Sequence, residues 1–236
     1  MVSRVLRNSI FLRIYAGLVV LVVVVAAFCY LLVQVINYQR AQEYRESLTD
    51  GISYVISEGV SRQPQKQQKL DWISDASDLL ELPIYYVDAE RVELSRTEKK
   101  RIAEQKSVVR YDANNGVGYI IIGLKDDAKH YLYIKVDKLG ERQMKALPIF
   151  VLDYLIFYPG QEREYLERIK KHFYYPITIA SIKDINLDSE QIGRLRQDQS
   201  ILLYKDSATV RGTTISIVSP MPNHPTQVLI LGPVPM

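Results

Sequence analysis

From Ile14 to Val33 the chain runs for twenty residues without a charge, most of them Val, Leu or Ala. A helix of that length rises about 30 Å at about 1.5 Å per residue, the thickness of a bilayer's hydrocarbon core. Tyr15 and Tyr30 fall near its ends, where an aromatic ring can be apolar and wet at once. Arg4, Arg7 and Arg13 are the only charged side chains before Arg40, and the first acid is Glu43. A positive excess on one flank predicts a cytoplasmic N-terminus (1–13), a transmembrane helix (14–33) and a chain that lies beyond the membrane from about residue 40 onward. A cleaved signal peptide has a shorter apolar core, of about 7–15 residues, and a small-x-small cleavage site that this run lacks. Bulky Phe28 before Cys29 speaks against lipoprotein processing.

Charge excludes a further class. The chain has 30 basic and 27 acidic residues, and the excess of three is the arginine trio ahead of the apolar run. The remainder is formally neutral, so no nucleic-acid partner is expected. Cys29 is the only cysteine, which rules out an intrachain disulfide and a cysteine-based zinc cluster.

After the membrane run the sequence stays free of proline to Arg62, predicting a membrane-proximal stem helix over 34–60. Ala41, Tyr44, Leu48, Ile52 and Val55 recur at three- and four-residue intervals and give one apolar stripe. Such a stripe packs either on its own domain or on the same helix of a second subunit. These five residues are the candidate signal-transmission stem. Ser61–Gln68 is polar and reads as a loop.

The rest divides into a first unit (66–137), a connector (138–160) and a second unit (161–236). In the first, Lys69–Leu80 is an amphipathic helix stopped by Pro83, Ile84–Val87 a strand, and Ser95 with Glu98 a capping box opening a helix to about Lys106. Strands follow at Val108–Tyr111, Val117–Leu124 and His130–Val136, the first two joined by an Asn114-Asn115-Gly116 turn. The second unit reads alike: a helix over Gln161–Phe173, Pro176, a strand over Ile177–Ile182, a helix over Asp188–Gln199, then strands at Ile201–Tyr204, Thr213–Val218 and Gln227–Leu231. A constant offset of 93 residues pairs Pro83 with Pro176, Ile84 with Ile177, Arg101 with Arg194 and Ser107 with Ser200. This predicts an α+β chain of two repeated helix–strand–helix–three-strand units with mixed sheets, a PAS-like topology being one option. Leu147–Tyr158 is too short for a second membrane pass and contains Asp153, so it reads as a buried connector.

No catalytic constellation emerges. His130, His172 and His224 form no metal-binding spacing, and the chain has no Gly-x-Ser-x-Gly elbow, Walker loop or dinucleotide fingerprint. Carboxylates gather at Asp88/Glu90, Asp126-Asp127 and Asp184/Asp188 without calcium-loop spacing, and Asp126-Asp127 reads as a solvated turn. The chain is therefore expected to hold no cofactor and no metal, and not to be an enzyme.

Phe11-Leu12-Arg13-Ile14-Tyr15 entering the membrane, the stem Tyr38–Glu58, and the ending Gln227-Val228-Leu229-Ile230-Leu231-Gly232-Pro233-Val234-Pro235 resemble the N-terminal region of RstB-type, BfmS-like sensor histidine kinases. The resemblance implies a homodimeric periplasmic sensor in the bacterial inner membrane. In that family a Gly-Pro-Val-Pro segment precedes a second transmembrane helix, and Pro233 and Pro235 would end the last strand. A cytoplasmic kinase using ATP and Mg would follow, with a cognate response regulator as partner. The chain departs from the family in having two sensor units rather than one. It also lacks the phosphoacceptor motif, since no histidine is followed by an acid. The reading is the anchor and sensor region of a two-component signal-transduction kinase, cut before its second membrane helix. The alternative is a single-pass envelope scaffold or assembly factor.

Overall fold

The computed structural model describes residues 2–112, 116–137, 141–207 and 212–235. The chain is α+β and divides into two compact units, Met1–Tyr44 and Arg45–Met236. The first unit is helical throughout its described length, within helix α1 (Val2–Ser61). Among the described residues one segment is long and apolar enough to cross a membrane. It is Ile14–Gln39, 26 residues of mean hydropathy 3.0 with none of its window buried in protein.

The second unit begins with the last turns of α1 and continues through α2 (Lys66–Leu80) and β1 (Ile84–Asp88). Next come α3 (Arg96–Ala103), β2 (Val108–Asp112), β3 (Val117–Gly123) and β4 (His130–Val136). Helix α4 (Glu141–Ile156) leads to α5 (Glu162–Lys170), β5 (Ile177–Ser181), α6 (Ser189–Arg196), β6 (Ile201–Ser207), β7 (Gly212–Met221) and β8 (His224–Pro235). The polar loop expected over Ser61–Gln68 shrinks to Arg62–Gln65, because α2 starts at Lys66. Helix α2 ends before Pro83, at Glu81, whose left-handed backbone (φ 52°) turns its N–H back onto Asp78 and Ser77 carbonyls. Of the expected Asn114-Asn115-Gly116 turn, Asn114 and Asn115 lie outside the described residues.

The strands form two four-stranded sheets, ordered β1-β4-β3-β2 and β5-β8-β7-β6. Every described pairing is antiparallel, which corrects the expectation of mixed sheets. The reason is local. In each sheet the last three strands are a meander, and the first strand joins its far edge antiparallel, so it ends at the same end of the sheet where the second strand begins. No return crossover is needed. The connecting helix has only to cross three strand spacings, about 14 Å, and eight residues of helix supply about 12 Å.

The two halves keep an offset of 93 residues through β1/β5, the short 3₁₀ turns Ala89–Arg91 and Ile182–Asp184, α3/α6 and the starts of β2/β6. Ser95 and Asp188 both close capping boxes, with Glu98 and Gln191, and Gln105 and Asp198 both have positive φ.

Period-two alternation distributes β7 and β8 over two cores. Ile217, Leu229 and Leu231 point into the main core, while Val218 and Val228 meet Leu195 of α6 on the other side. The main core is common to both sheets: Ile122, Leu132 and Ile134 of the first share it with Ile177, Ile217 and Leu231 of the second. Between them lie Phe150, Val151 and Leu155 of α4 and Ile52, Val55, Ile56 and Val60 of α1. Strand β8 runs through Pro233 and Pro235, where the sequence had its last strand ending. Proline is tolerated there because β5 pairs with β8 only as far as Leu231, leaving that end with β7 as its one partner. Gly232 (φ 114°) is required at the bend, since a Cβ there would lie 2.7 Å from the Ile215 carbonyl oxygen.

Candidate functional site

From Gly51 to Ser57 every residue of α1 is buried, so the stem is enclosed on all sides rather than along one stripe. Small residues allow this. A Cβ on Gly51 would fall 2.3 Å from the Phe173 ring, and one on Gly59 2.4 Å from Trp72. Ser53 is 3% exposed, and Ser57 Oγ donates to the Gly123 carbonyl at 2.8 Å. The Tyr54 ring stacks on His172 with centroids 3.7 Å apart. Burial, then nearby Lys171, holds the His172 imidazole below its ordinary pKa.

A polar clamp fixes the same stretch to the α3–β2 junction. Asp50 Oδ1 accepts from the Ser107 N–H at 2.9 Å, the Ser107 hydroxyl at 2.8 Å and Arg101 Nη2 at 3.1 Å. Arg101 Nε also lies 3.2 Å from Glu46 Oε2 and donates to the Ser107 carbonyl at 3.0 Å. Ser107 is fully buried, so its polar atoms depend on these partners.

Beside the clamp, Leu48, Ile52 and Ile56, four residues apart, form one ridge of the stem with Thr49 and Ser53 next to it. This ridge is one wall of a cavity of about 330 Å³. The first sheet supplies the cross-strand pair Ile120 and Ile134, and the second supplies the pair Ile215 and Val234. Leu80 at the end of α2, Leu82 after it, Met144 and Leu147 of α4, Ile217 and Tyr175 complete the lining. Ile56, Leu80, Ile134 and Ile217 are buried, whereas Leu48, Val136, Met144 and Val234 are half-buried and border the mouth. Burial pushes the Tyr175 phenol pKa up. No acid, amine or imidazole lines the cavity. It can take an uncharged body.

Of the stem residues chosen from sequence, Leu48 and Ile52 line this cavity and Val55 is buried in the main core. Ala41 and Tyr44 fall in the first unit, and their side chains lie outside the described residues. Gly51, Ser53 and Ser57 lie off the apolar stripe on different sides of the helix and Gly59 continues it four residues after Val55; the small size of these residues lets neighbours close in on the stem from several sides.

Of the carboxylates gathered in sequence, Asp88 and Asp127 meet at His130, while Asp184 and Asp188 lie in the second sheet unit. Asp126 and Asp127 are engaged rather than solvated: Asp126 pairs with nearly buried Lys69 at 2.5 Å. Asp127 accepts from the Tyr86 hydroxyl and the Lys129 N–H (3.1 Å) and lies 2.8 Å from His130 Nδ1. His130 Nε2 is 3.3 Å from Asp88, and its ring stacks on Tyr86 with centroids 4.4 Å apart. Burial works against the Asp127 charge, but the bonds from Tyr86, His130 and Lys129 outweigh it and hold the carboxyl down at about 2. Among the described residues no group of three or more His, Cys, Asp or Glu side chains could hold a metal ion. A wider hollow of about 610 Å³ borders α4 and the second sheet, but Asp153, Ile156, Arg196, Asp198 and Pro222 on its rim are exposed, and it is a surface feature.

No family model matches the chain, and no curated protein matches it significantly.

Proposed function

We propose that this chain is the membrane anchor and periplasmic sensor region of a two-component sensor histidine kinase. The supporting observation is that the stem, in the same helix α1 as the apolar span, is also a wall of a cavity to which both sheets contribute. An occupant that fits one arrangement of sheets and stem better than another shifts their populations by its differential affinity. The constant 93-residue offset, the matched capping boxes and the equal strand order support reading the two sheet units as copies of one helix–strand–helix–three-strand plan. In this reading the N-terminus is cytoplasmic and both sheets are periplasmic. The protein works as a homodimer, and ATP, Mg and the response regulator engage a kinase segment encoded further on.

The test is the coding sequence after Met236 together with phosphorylation of the whole gene product. An apolar run of about 20 residues, then a His-Glu or His-Asp motif, and autophosphorylation from ATP are expected. A stop directly after Met236 and a protein inert toward ATP would replace the proposal with the envelope scaffold.

A further inference from the structure

We infer that the 330 Å³ cavity between the stem and the two sheets binds an uncharged, medium-chain amphiphile of about ten to twelve carbons whose single hydroxyl or carbonyl meets Ser53 or Tyr175. As a sensory input this rests on the sensor reading above; as a binding site it does not.

Three observations carry the assignment. The first is the lining. A charged ligand would lose its hydration among Ile52, Ile56, Ile134 and Ile217 with no counter-charge to replace it, and a sugar's several hydroxyls would find too few partners, so amino acids, anions and sugars are excluded. The second is size. Benzene fills an apolar cavity of about 150 Å³, or about 25 Å³ per carbon, so 330 Å³ has room for about a dozen carbons at most. The third is polar. Ser53 and Tyr175 line the cavity from different elements, and among the described residues neither hydroxyl has a hydrogen-bond partner within the protein. Thr49, the other hydroxyl, is already bound to the Glu46 carbonyl at 2.9 Å and to Ser107 at 2.7 Å. Two unpaired hydroxyls in an otherwise apolar chamber call for one polar group on an apolar body. The walls are held in place beforehand by paired strands and the clamped stem, so binding costs little ordering of the site.

The experiment uses the full chain in lipid nanodiscs and a ten-carbon primary alcohol carrying a diazirine near its methyl end. After irradiation, cross-links mapped by mass spectrometry should fall on Leu48–Ile56 and on Ile215–Ile217. Excess decan-1-ol should reduce them at least five-fold, and decanoate at least ten-fold less effectively. Ser53→Ala with Tyr175→Phe preserves volume and should weaken competition by decan-1-ol about five-fold while leaving competition by decane unchanged. Leu147→Trp should occupy the chamber and abolish the cross-links; if it does not fold, the hydroxyl pair decides. Cross-links confined to Ile14–Gln39, or equal competition by decanoate, would overturn the assignment. Labelling of the cavity with no response of the whole gene product's kinase output to decan-1-ol would keep the site and remove the sensor reading. Intact signalling with no labelling would do the reverse.

Discussion

Replacing Gly51 by alanine adds one carbon at the point where the stem passes closest to α5 and its following turn. The new Cβ would meet Phe173 Cγ at 2.3 Å and Cδ1 at 2.4 Å, against an ordinary carbon contact of about 3.5–4.0 Å. These atoms belong to the root and body of a ring that is 9% exposed, with Tyr175 edge-on at 5.3 Å between centroids, so the ring must shift by more than about 1 Å within a packed core. Overpacking of this kind costs about 1–3 kcal/mol, while alanine gains about 1 kcal/mol over glycine in a helix interior. Gly193 is an internal control. It lies inside α6 with nothing within 4 Å of its would-be Cβ, so Gly193→Ala collects the helix gain alone. The propensity terms cancel between the two variants, and the difference of about 1–3 kcal/mol is the cost of the collision. At about 2–4 °C per kcal/mol for a unit of this size, thermal unfolding should separate their midpoints by roughly 2–12 °C, with Gly193→Ala the higher. Phe173→Leu in the Gly51→Ala background should recover part of the loss, which a double-mutant cycle measures. Equal midpoints for the two alanine variants would refute the close approach of stem and Phe173.

Asp50→Ala orphans the buried Ser107 N–H and one arm of Arg101, and should lower stability by about 2–4 kcal/mol in urea unfolding, with Asp50→Asn recovering part by keeping an acceptor. Glu98 is held at about 2, first by two bonds from Arg110 (2.8 and 2.9 Å) and against the effect of burial, and Asp127 is also at about 2. Both folded values are depressed, so their stabilisation, on the order of 2 kcal/mol each, is complete above about pH 4.5 and lost as pH falls through about 2. Thermal midpoints between pH 5 and 2 should fall accordingly, and less steeply in Glu98→Gln. Gly232→Ala forces a side chain into φ 114° and against the Ile215 carbonyl at 2.7 Å, and should cost about 3 kcal/mol by the same unfolding measurement.

Much of the element order was legible because its signals are local. Pro83 and Pro176 mark the ends of helical stretches, Ser95 with Glu98 spells out a capping box, and alternating residues in His130–Val136 give a strand whose bounds the structure repeats. Sheet pairing was not legible, because the partner of β1 is β4, some forty residues away, and nothing within Ile84–Asp88 names it. Strand ends were misplaced where side-chain type misleads: Pro233 and Pro235 read as terminators, yet they lie beyond the reach of β5. The candidate stem was legible by half. The stripe through Leu48, Ile52 and Val55 shows in the sequence, but Ile56 falls outside it, and the other buried sides are built from glycine and serine, which composition scores as polar or neutral. The fit of Gly51 to Phe173 spans more than a hundred residues of chain and is a property of tertiary packing alone.

That enclosure bears on how the stem can work. A helix packed along a single stripe can roll or slide on its support at the cost of exchanging similar contacts. The stem between Gly51 and Ser57 cannot, because Phe173 and Trp72 fill notches at Gly51 and Gly59, and Asp50 and Ser57 are bonded to the Ser107–Gly123 side of the first sheet. Displacement by one residue would drive side chains into both rings and break a buried polar clamp at once. The freedom that remains lies in the cavity, whose opposing walls, Ile120 with Ile134 and Ile215 with Val234, belong to different sheets and touch no common strand. In the sensor proposed above, an occupant would act on the spacing of the sheets, and the stem, clamped to one sheet and notched by α2 and the turn after α5, would follow as part of that motion rather than as a separate piston.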